Sequence, residues 1–456
     1  MKHIDIKELL NNQEIKDEIT VCGWIKTFRS SKNVSFIELN DGTSLNNLQL
    51  VLNNTNDINN LTVGSSIMVK GRLVKSLSTK QEVELLVDSI EIIGKCSNDY
   101  PIQKKKQNME YLREYPHLRA RTNTFNAVFR VRNYISMAIH KYLQANNFIY
   151  VNTPIITGSN CEGAGKLFNV TTLDIEHLDN NKSNIYDNDF FGKKVQLSVS
   201  GQLEDEAMAC SLGKVYSFGP SFRAENSNTK KHAAEFWIVE PEMAFADLND
   251  IIEVINGLVK YLIQEIMENC SNEIDFFNKY YDDNLVKKLT DVLESSFELI
   301  DYKDSINILL NAKQKFDYQL YYGCDLKSEH IKYLTDIYFK KPIYIINYPK
   351  DHKPFYIKVN EDNRTVASAD LYFPHIGDII GACQKEDDYD KLYEKIKNLN
   401  MTLEDYYWYL ELRKYGTVPH SGFGLGIERM VMYMTGMENI RDTTCFPRTK
   451  CKKLKL

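Results

Sequence analysis

The sequence lacks any run of apolar residues long enough to cross a membrane as a helix. Its first residues, MKHIDIKELLNN, also lack the apolar core of a secretory signal peptide. These two absences argue against a membrane protein and against a secreted one. We therefore expect a cytoplasmic protein that has no membrane partner.

The nine cysteines lack the close spacing that marks metal sites and disulfide frameworks. They are scattered along the chain and never occur as a Cys-x-x-Cys motif. Reduced and mostly buried thiols are the expectation, which suits a reducing compartment.

The chain also lacks a strong excess of positive charge. Its 56 Lys and Arg residues against 62 Asp and Glu residues give a formal net charge of −6. This balance excludes a uniformly basic protein that coats nucleic acid, although it leaves room for a local basic face. With 456 residues, 43% of them hydrophobic, the chain is long enough for two or three domains with a sizeable core.

One stretch, residues 215–245, combines strand patterns with an unusual number of polar residues. The β-branched and aromatic runs Val215–Phe222 and Phe236–Phe245 predict two strands, and the polar segment Glu225–Ala233 connects them. That connection is too long for a tight hairpin turn, and loops of this kind usually bind something.

The charges in this stretch suggest a nucleotide site. Arg223 and Glu225 are two apart, which would place both on one face of a strand. Phe236, Glu240 and Glu242 share one phase of the return strand. Such a face could stack a base on Phe236 and bind phosphate through Arg223. From the residues alone, a solvated hairpin with ordinary surface ion pairs is an equally good interpretation.

The same stretch, FRAENSNTKKHAAEF, resembles the second signature motif of the class II aminoacyl-tRNA synthetases. The segment WIVEPEMAFADLND that follows is most similar to the asparaginyl branch of that family. GFGLGIER, at residues 422–429, resembles the third motif; a dinucleotide fingerprint there would lack the βαβ unit that it requires. The resemblance runs from GWIKTFRS near the start to RDTTCFPRT near the end.

The resemblance implies an α+β fold with an N-terminal OB-fold β-barrel and a class II catalytic domain. The catalytic domain would be built on an antiparallel sheet flanked by helices. The implied activity is the activation of asparagine with ATP and Mg²⁺, followed by transfer to tRNA. The implied domains are residues 1–100 for anticodon binding, 101–121 for a basic linker, and 122–456 for catalysis.

The resemblance also assigns residues to ATP. Arg223 would stabilise the α-phosphate, Phe236 would stack on adenine and Glu225 would accept its amine. His232 and Arg429 would hold the γ-phosphate. The implied ATP-binding set is Arg223, Glu225, His232, Phe236, Asp378 and Arg429, with Arg223 and Arg429 as catalytic residues and Asp378 and Asp370 as Mg²⁺ ligands.

A further set of residues is implied for the amino acid. Val195–Gln202 is predicted as a strand, with Ser200 and Gln202 on one face. The implied amino-acid-binding residues are Glu162, Ser200, Gln202, Asp205, Glu240 and Lys385. Several positions depart from the family pattern: Glu204, Asp205, Asp378, Ala382, Cys383 and Lys385. An extra carboxylate at Asp205 would repel aspartate, tolerate an amide and favour a short side chain that ends in an amine. Alternatively, Asp205 could pair with Lys385, which would keep the pocket neutral and specific for asparagine.

Residues 18–93 read as five short strands separated by turn signals, which suits an OB-fold. By resemblance, Phe36 would stack on an anticodon base, and Arg29 and Gln49 would bind base edges or phosphate. Without the resemblance, Phe36 would be interpreted as a core aromatic residue.

A helical pattern begins at Thr122, and the strand Phe148–Val151 follows it. This order resembles the first class II motif, which implies a homodimer, although an ordinary core helix fits the pattern equally well. Farther on, the sequence predicts a helix over residues 248–269, helices continuing to Asn311, and a strand over Phe355–Val359.

Two other interpretations remain open at this point. A paralogue could activate a different small polar amino acid or load an acceptor other than tRNA. A protein with no catalytic activity could retain the scaffold only to bind RNA.

Overall fold

The computed structural model describes residues 2–30, 34–53, 61–77, 81–103, 107–161, 166–177, 184–226 and 229–450. The chain divides into two compact units, which meet at Phe129 and Arg130 in the sequence.

The first unit contains a closed barrel whose strand order is β1-β2-β3-β5-β4. Its β3–β5 pair is parallel and its other pairs are antiparallel. This topology confirms the predicted OB-fold. The elements of this unit within the described residues are α1 (Ile6–Asn12), β1 (Lys16–Ser30), β2 (Val34–Asn40), β3 (Leu48–Asn53), β4 (Ser66–Lys75), β5 (Val83–Gly94) and α2 (Met109–Arg113).

Alternation of apolar and polar residues closes this barrel around its core. Leu48, Leu50 and Leu52 of β3 are all fully buried, while the residues between them face outward. Gly71 allows close contact between β4 and β5, because a Cβ at this position would lie 2.1 Å from the backbone oxygen of Leu86.

The helix α3 (Asn123–Ala145) carries the apolar stripe that the sequence predicts. Val128, Val131, Ile135, Ile139 and Leu143 are all completely buried. The helix begins one residue after the predicted start at Thr122.

The second unit is built on a mixed sheet that is mostly antiparallel. Within the described residues it has eight strands in the order β12-β13-β14-β15-β16-β11-β10-β6, and a smaller sheet has the order β7-β9-β8. The strands are β6 (Ile149–Tyr150), β7 (Ile156–Thr157), β8 (Asn169–Val170), β9 (Val195–Leu197), β10 (Lys214–Phe222), β11 (Glu235–Ala244), β12 (Glu298–Asp301), β13 (Ile343–Ile346), β14 (Ser368–Phe373), β15 (Gly377–Gln384) and β16 (His420–Gly426).

Helices flank this sheet, and together they confirm the predicted α+β class. They are α4 (Gln202–Leu212), α5 (Leu248–Asn269), α6 (Ser271–Tyr280), α7 (Leu285–Glu294), α8 (Tyr302–Leu310), α9 (Ser328–Lys332), α10 (Tyr389–Asn398), α11 (Leu403–Lys414) and α12 (Ile427–Thr435). The helix α5 has the predicted bounds, and its cap Asp247 accepts hydrogen bonds from the backbone of Asn249 and Asp250.

The structure corrects three local predictions. The predicted strand Val195–Gln202 ends at Leu197, because the Ser198 hydroxyl turns the backbone at Ser200 and α4 begins at Gln202. Phe355–Val359 forms only isolated bridges. The region predicted to stay helical to Asn311 contains the strand β12, which pairs in parallel with β13.

Candidate active site

A cavity of about 580 Å³ opens on the sheet of the second unit. Strands β11, β15 and β16 and the helix α12 contribute to its walls. The seven residues that the sequence assigns to ATP and Mg²⁺ all line it: Arg223, Glu225, His232, Phe236, Asp370, Asp378 and Arg429. The fold therefore brings together residues that lie as far as 206 positions apart in the sequence (from Arg223 to Arg429).

Arg223 and Phe236 both line this cavity. The guanidinium carbon of Arg223 lies 5.5 Å from the centroid of the Phe236 ring. The prediction that Arg223 and Glu225 share a strand face is wrong, since β10 ends at Phe222. Arg223 still lies beside the returning chain, because its backbone N–H donates to the Ala234 oxygen at 2.9 Å.

Cationic side chains crowd the cavity. Burial lowers the pKa of His232, and the nearby charge of Arg429 lowers it further. Burial and Arg429 also lower the pKa of Lys231, which likewise lines the cavity. Such mutual repulsion among cations is relieved by an anion, so the cavity is suited to a polyphosphate.

Two carboxylates of the cavity are already paired with cations. Asp378 forms an ion pair with Arg429, and Asp370 forms one with Lys353. Asp370 and Asp378 lie on the neighbouring strands β14 and β15. Among the described residues, no group of three or more His, Cys, Asp or Glu side chains could hold a metal ion. A metal here would need oxygen ligands from a bound phosphate.

The predicted amino-acid-binding residues meet where α4 begins. Glu240 of β11 accepts hydrogen bonds from the Ser200 hydroxyl and, at 2.9 Å, from the Gly201 backbone N–H. Burial raises the pKa of Glu240, while the Ser200 hydrogen bond opposes this shift. Glu162 lies outside the described residues.

Gln202 and Lys385 converge on a second carboxylate, Glu242. Gln202 Nε2 donates to Glu242 Oε2 at 2.9 Å, and Lys385 Nζ lies 3.1 Å from the same oxygen. The neighbouring strand β16 can approach this pair closely because it has a glycine there. A Cβ at Gly422 would lie 1.8 Å from Glu242 Oε2. Lys385 therefore pairs with Glu242.

Asp205 is completely buried on α4. Its Oδ2 accepts a hydrogen bond from Ser217 Oγ at 2.6 Å. Within the described part of the chain, no ion pair joins Asp205 to Lys385, so the pairing considered from the sequence is not what the structure contains.

Glu206, which the signature motifs do not include, is the centre of a buried polar cluster. Its Oε2 accepts hydrogen bonds from Arg413 and from the Tyr409 hydroxyl, both at 2.7 Å, and lies 3.0 Å from His420 Nε2. Its Oε1 lies 3.4 Å from Gln202 Nε2. One signal was available: Gln202 and Glu206 are four apart, which places them on one helix face.

In the first unit, a separate cavity of about 700 Å³ opens on the barrel surface. The three predicted anticodon residues, Arg29, Phe36 and Gln49, all line it. Phe36 is 39% exposed, which a core aromatic residue would not be. Gln49 Nε2 donates to Glu84 Oε2 at 3.1 Å, which fixes its amide.

Among the residues that the structure describes, no helix has both the length and the apolar character needed to span a membrane.

Comparison with known families agrees with this architecture. Residues 108–450 match the tRNA synthetases class II (D, K and N), and residues 19–93 match the OB-fold nucleic acid binding domain. The chain therefore belongs to the class II tRNA synthetase family of the D, K and N type.

Two relatives that match this chain over nearly its full length are asparagine–tRNA ligases. The asparagine–tRNA ligase of Clostridium tetani is 50% identical over 457 residues, covering 98% of this chain and 99% of the relative. That of Borreliella burgdorferi is 50% identical over 452 residues, covering 97% and 98%.

Two solved structures that resemble this chain are asparaginyl-tRNA synthetases. The asparaginyl-tRNA synthetase from Pyrococcus horikoshii, complexed with asparaginyl-adenylate, superposes with a TM-score of 0.87 at 33% identity and full coverage of both chains. The enzyme from Entamoeba histolytica, in complex with the same adenylate, superposes with a TM-score of 0.82 at 27% identity, covering 96% of each chain.

Proposed function

We propose that this protein is an asparagine–tRNA ligase. In the first step, an oxygen of the asparagine carboxylate attacks the α-phosphorus of ATP, and the bond to pyrophosphate breaks. In the second step, a hydroxyl at the 3′ end of tRNA attacks the acyl carbon, and AMP leaves. The observation that carries this function is the cavity that joins the two predicted ATP motifs, supported by near-full-length relatives of the same activity.

In this proposal, charge and position supply the catalysis, because the substrate carboxylate is itself the nucleophile. Arg223 stabilises the charge that develops on the α-phosphate. Phe236 stacks on adenine, and Glu225 accepts a hydrogen bond from the exocyclic amine. His232 and Arg429 bind the γ-phosphate. Binding of this phosphate breaks the ion pair between Arg429 and Asp378.

Asp378 and Asp370 would hold Mg²⁺ together with phosphate oxygens of ATP. The donor set fits this ion, since both carboxylates line the phosphate cavity and Mg²⁺ prefers oxygen ligands. When bound, Mg²⁺ would neutralise phosphate charge. The two side chains are held by Lys353 and Arg429, so we expect the metal to enter with ATP.

The amino acid would lie beside Glu240 at the start of α4. Glu240, Ser200 and Gln202 would orient its polar groups, and Lys385 would donate to its side-chain oxygen. Glu162 would face the α-ammonium group when the substrate is bound. In the first unit, Phe36 would stack on an anticodon base, with Arg29 and Gln49 at the base edges.

We also propose that the enzyme is a cytoplasmic homodimer that is specific for the asparagine tRNA. We propose that residues 1–100 bind the anticodon, that residues 101–121 form the linker and that residues 122–456 form the catalytic domain. The basic linker would contact tRNA phosphates.

The direct test of the active site is ATP–pyrophosphate exchange with a panel of amino acids. The proposal predicts exchange that depends on asparagine and proceeds without tRNA. The second candidate function is that of a paralogue that activates a different small polar amino acid, and the unusual residues Asp205 and Lys385 favour it. Exchange that depends on such an amino acid would support this candidate. No exchange with any amino acid would contradict both.

A further inference from the structure

Asp205 has an unusual position for a carboxyl group. It lies on the first turn of α4 with none of its surface exposed. Ser217 satisfies Oδ2, but Oδ1 is buried and has no hydrogen-bond partner among the described residues. An isolated buried carboxylate is strongly disfavoured unless a cation or a hydrogen-bond donor approaches it.

The neighbouring carboxyl group belongs to Glu240. Ser217 and Glu240 lie directly opposite each other on β10 and β11, so their side chains share a sheet face. Asp205, which accepts the Ser217 hydrogen bond, therefore lies near the carboxylate that the proposed function places beside the substrate. Burial raises the pKa of Asp205 well above its usual range, and the charge of Glu240 raises it further.

Two other buried carboxylates nearby have cations of their own. Arg413 pairs with Glu206, and Lys385 pairs with Glu242. Among the described residues, the hydrogen-bond donors to Glu240 are the Ser200 hydroxyl and the Gly201 backbone N–H, and the donor to Asp205 is the Ser217 hydroxyl. The charges of Arg223 and Lys385 also act on Glu240 and lower its pKa. In the described ranges, no basic side chain lies within ion-pair distance of Asp205. Asp205 Oδ1 is therefore an acceptor that the described residues leave unused.

Given the proposed function, we propose that Asp205 and Glu240 together form the wall that selects the end of the substrate side chain. This wall accepts groups that donate hydrogen bonds. An amide NH₂ fits it, and a protonated amine fits it better because it also supplies the missing positive charge. A carboxylate would add a further negative charge and is excluded. The enzyme should therefore also activate an amino acid with a short side chain that ends in an amine, and reject aspartate.

The experiment measures ATP–pyrophosphate exchange with asparagine, aspartate and 2,3-diaminopropionate for the wild type and for Asp205→Asn. Asp205→Ser serves as a second variant if the first one does not fold. The matched control is Asp189→Asn, because Asp189 is also buried with one carboxyl oxygen that has no partner in the described chain, yet it belongs to a different cluster with Thr172.

We expect the wild type to use asparagine and 2,3-diaminopropionate and to reject aspartate. Asp205→Asn should lower the rate with 2,3-diaminopropionate relative to asparagine at least about tenfold, the lower end for a lost charge-assisted hydrogen bond. The Asp189→Asn ratio should match the wild type.

The proposal is overturned if the wild type uses asparagine but not 2,3-diaminopropionate, or if the ratio is unchanged in folded Asp205 variants. If asparagine supports no exchange, the proposed function fails separately. The ratio of 2,3-diaminopropionate to aspartate would then still decide the role of Asp205.

Discussion

Lys385 Nζ lies 3.1 Å from Glu242 Oε2, and neither side chain exposes more than 1% of its surface. A buried ion pair of this kind depends on both of its members, because removing one leaves an uncompensated charge in the interior.

Lys385→Met should therefore destabilise the protein by about 3–5 kcal/mol, as measured by urea unfolding. The double variant Lys385→Met with Glu242→Gln removes both charges and should recover most of this loss. Exchange with asparagine should stay low in both variants, since the donor to the substrate side chain is missing. If the double variant is no more stable than the single one, the two residues do not depend on each other as the structure indicates.

Arg223→Ala should reduce exchange about 10²–10³-fold, which is typical when one preorganised donor to a developing charge is lost. The thermal midpoint should change little, because Arg223 lies beyond the end of β10 and is only partly buried. Arg364→Ala removes an exposed guanidinium away from this cavity and is the matched control. An Arg223→Ala enzyme that exchanges as fast as this control would remove the cavity as the ATP site.

Phe36→Ala should impair aminoacylation and leave exchange without tRNA unchanged. Loss of one base stack costs about 1–3 kcal/mol, which would appear chiefly as a higher KM for tRNA. Phe36→Tyr keeps an aromatic face and should restore most of the affinity. A parallel fall in exchange would instead identify Phe36 as a residue that the fold requires.

Glu204→Gln should change how stability depends on pH. Burial raises the pKa of Glu204 to about 7, whereas the unfolded chain titrates near its ordinary value of about 4.3. The folded state therefore retains a proton that the unfolded state has lost, and this contribution to stability disappears as the pH rises through about 7.

In melting experiments from about pH 5 to about pH 8, the wild type should lose stability more steeply than Glu204→Gln. Exposed Glu294→Gln is the control and should follow the wild-type slope. Equal slopes for all three proteins would show that Glu204 is not protonated in the folded state.

The elements that could be predicted from the sequence are those whose signal is local. The barrel strands alternate clearly, and α5 has a continuous apolar stripe with a capping residue, so both were predicted within a few positions. β12 was missed because it has only four residues and is defined by parallel pairing with β13, more than forty positions later.

The site shows the same division. The signature motifs indicate Arg223, Phe236 and Arg429, and the fold places all three on one cavity. The partners of buried charges could not be predicted in this way. Lys385 pairs with Glu242 and not with Asp205, and Glu206 accepts hydrogen bonds from Tyr409 and Arg413 of α11, some 200 positions away. Such contacts depend on tertiary packing and leave little trace in local sequence.

The most direct test of the whole account is the charging of tRNA with radiolabelled asparagine by the purified protein in the presence of ATP and Mg²⁺. We predict asparaginyl-tRNA that accumulates only when ATP is present and that falls in parallel with exchange in Arg223→Ala. Adenylate formation that leaves the tRNA uncharged would contradict the account, because the protein would then activate an amino acid for a different acceptor.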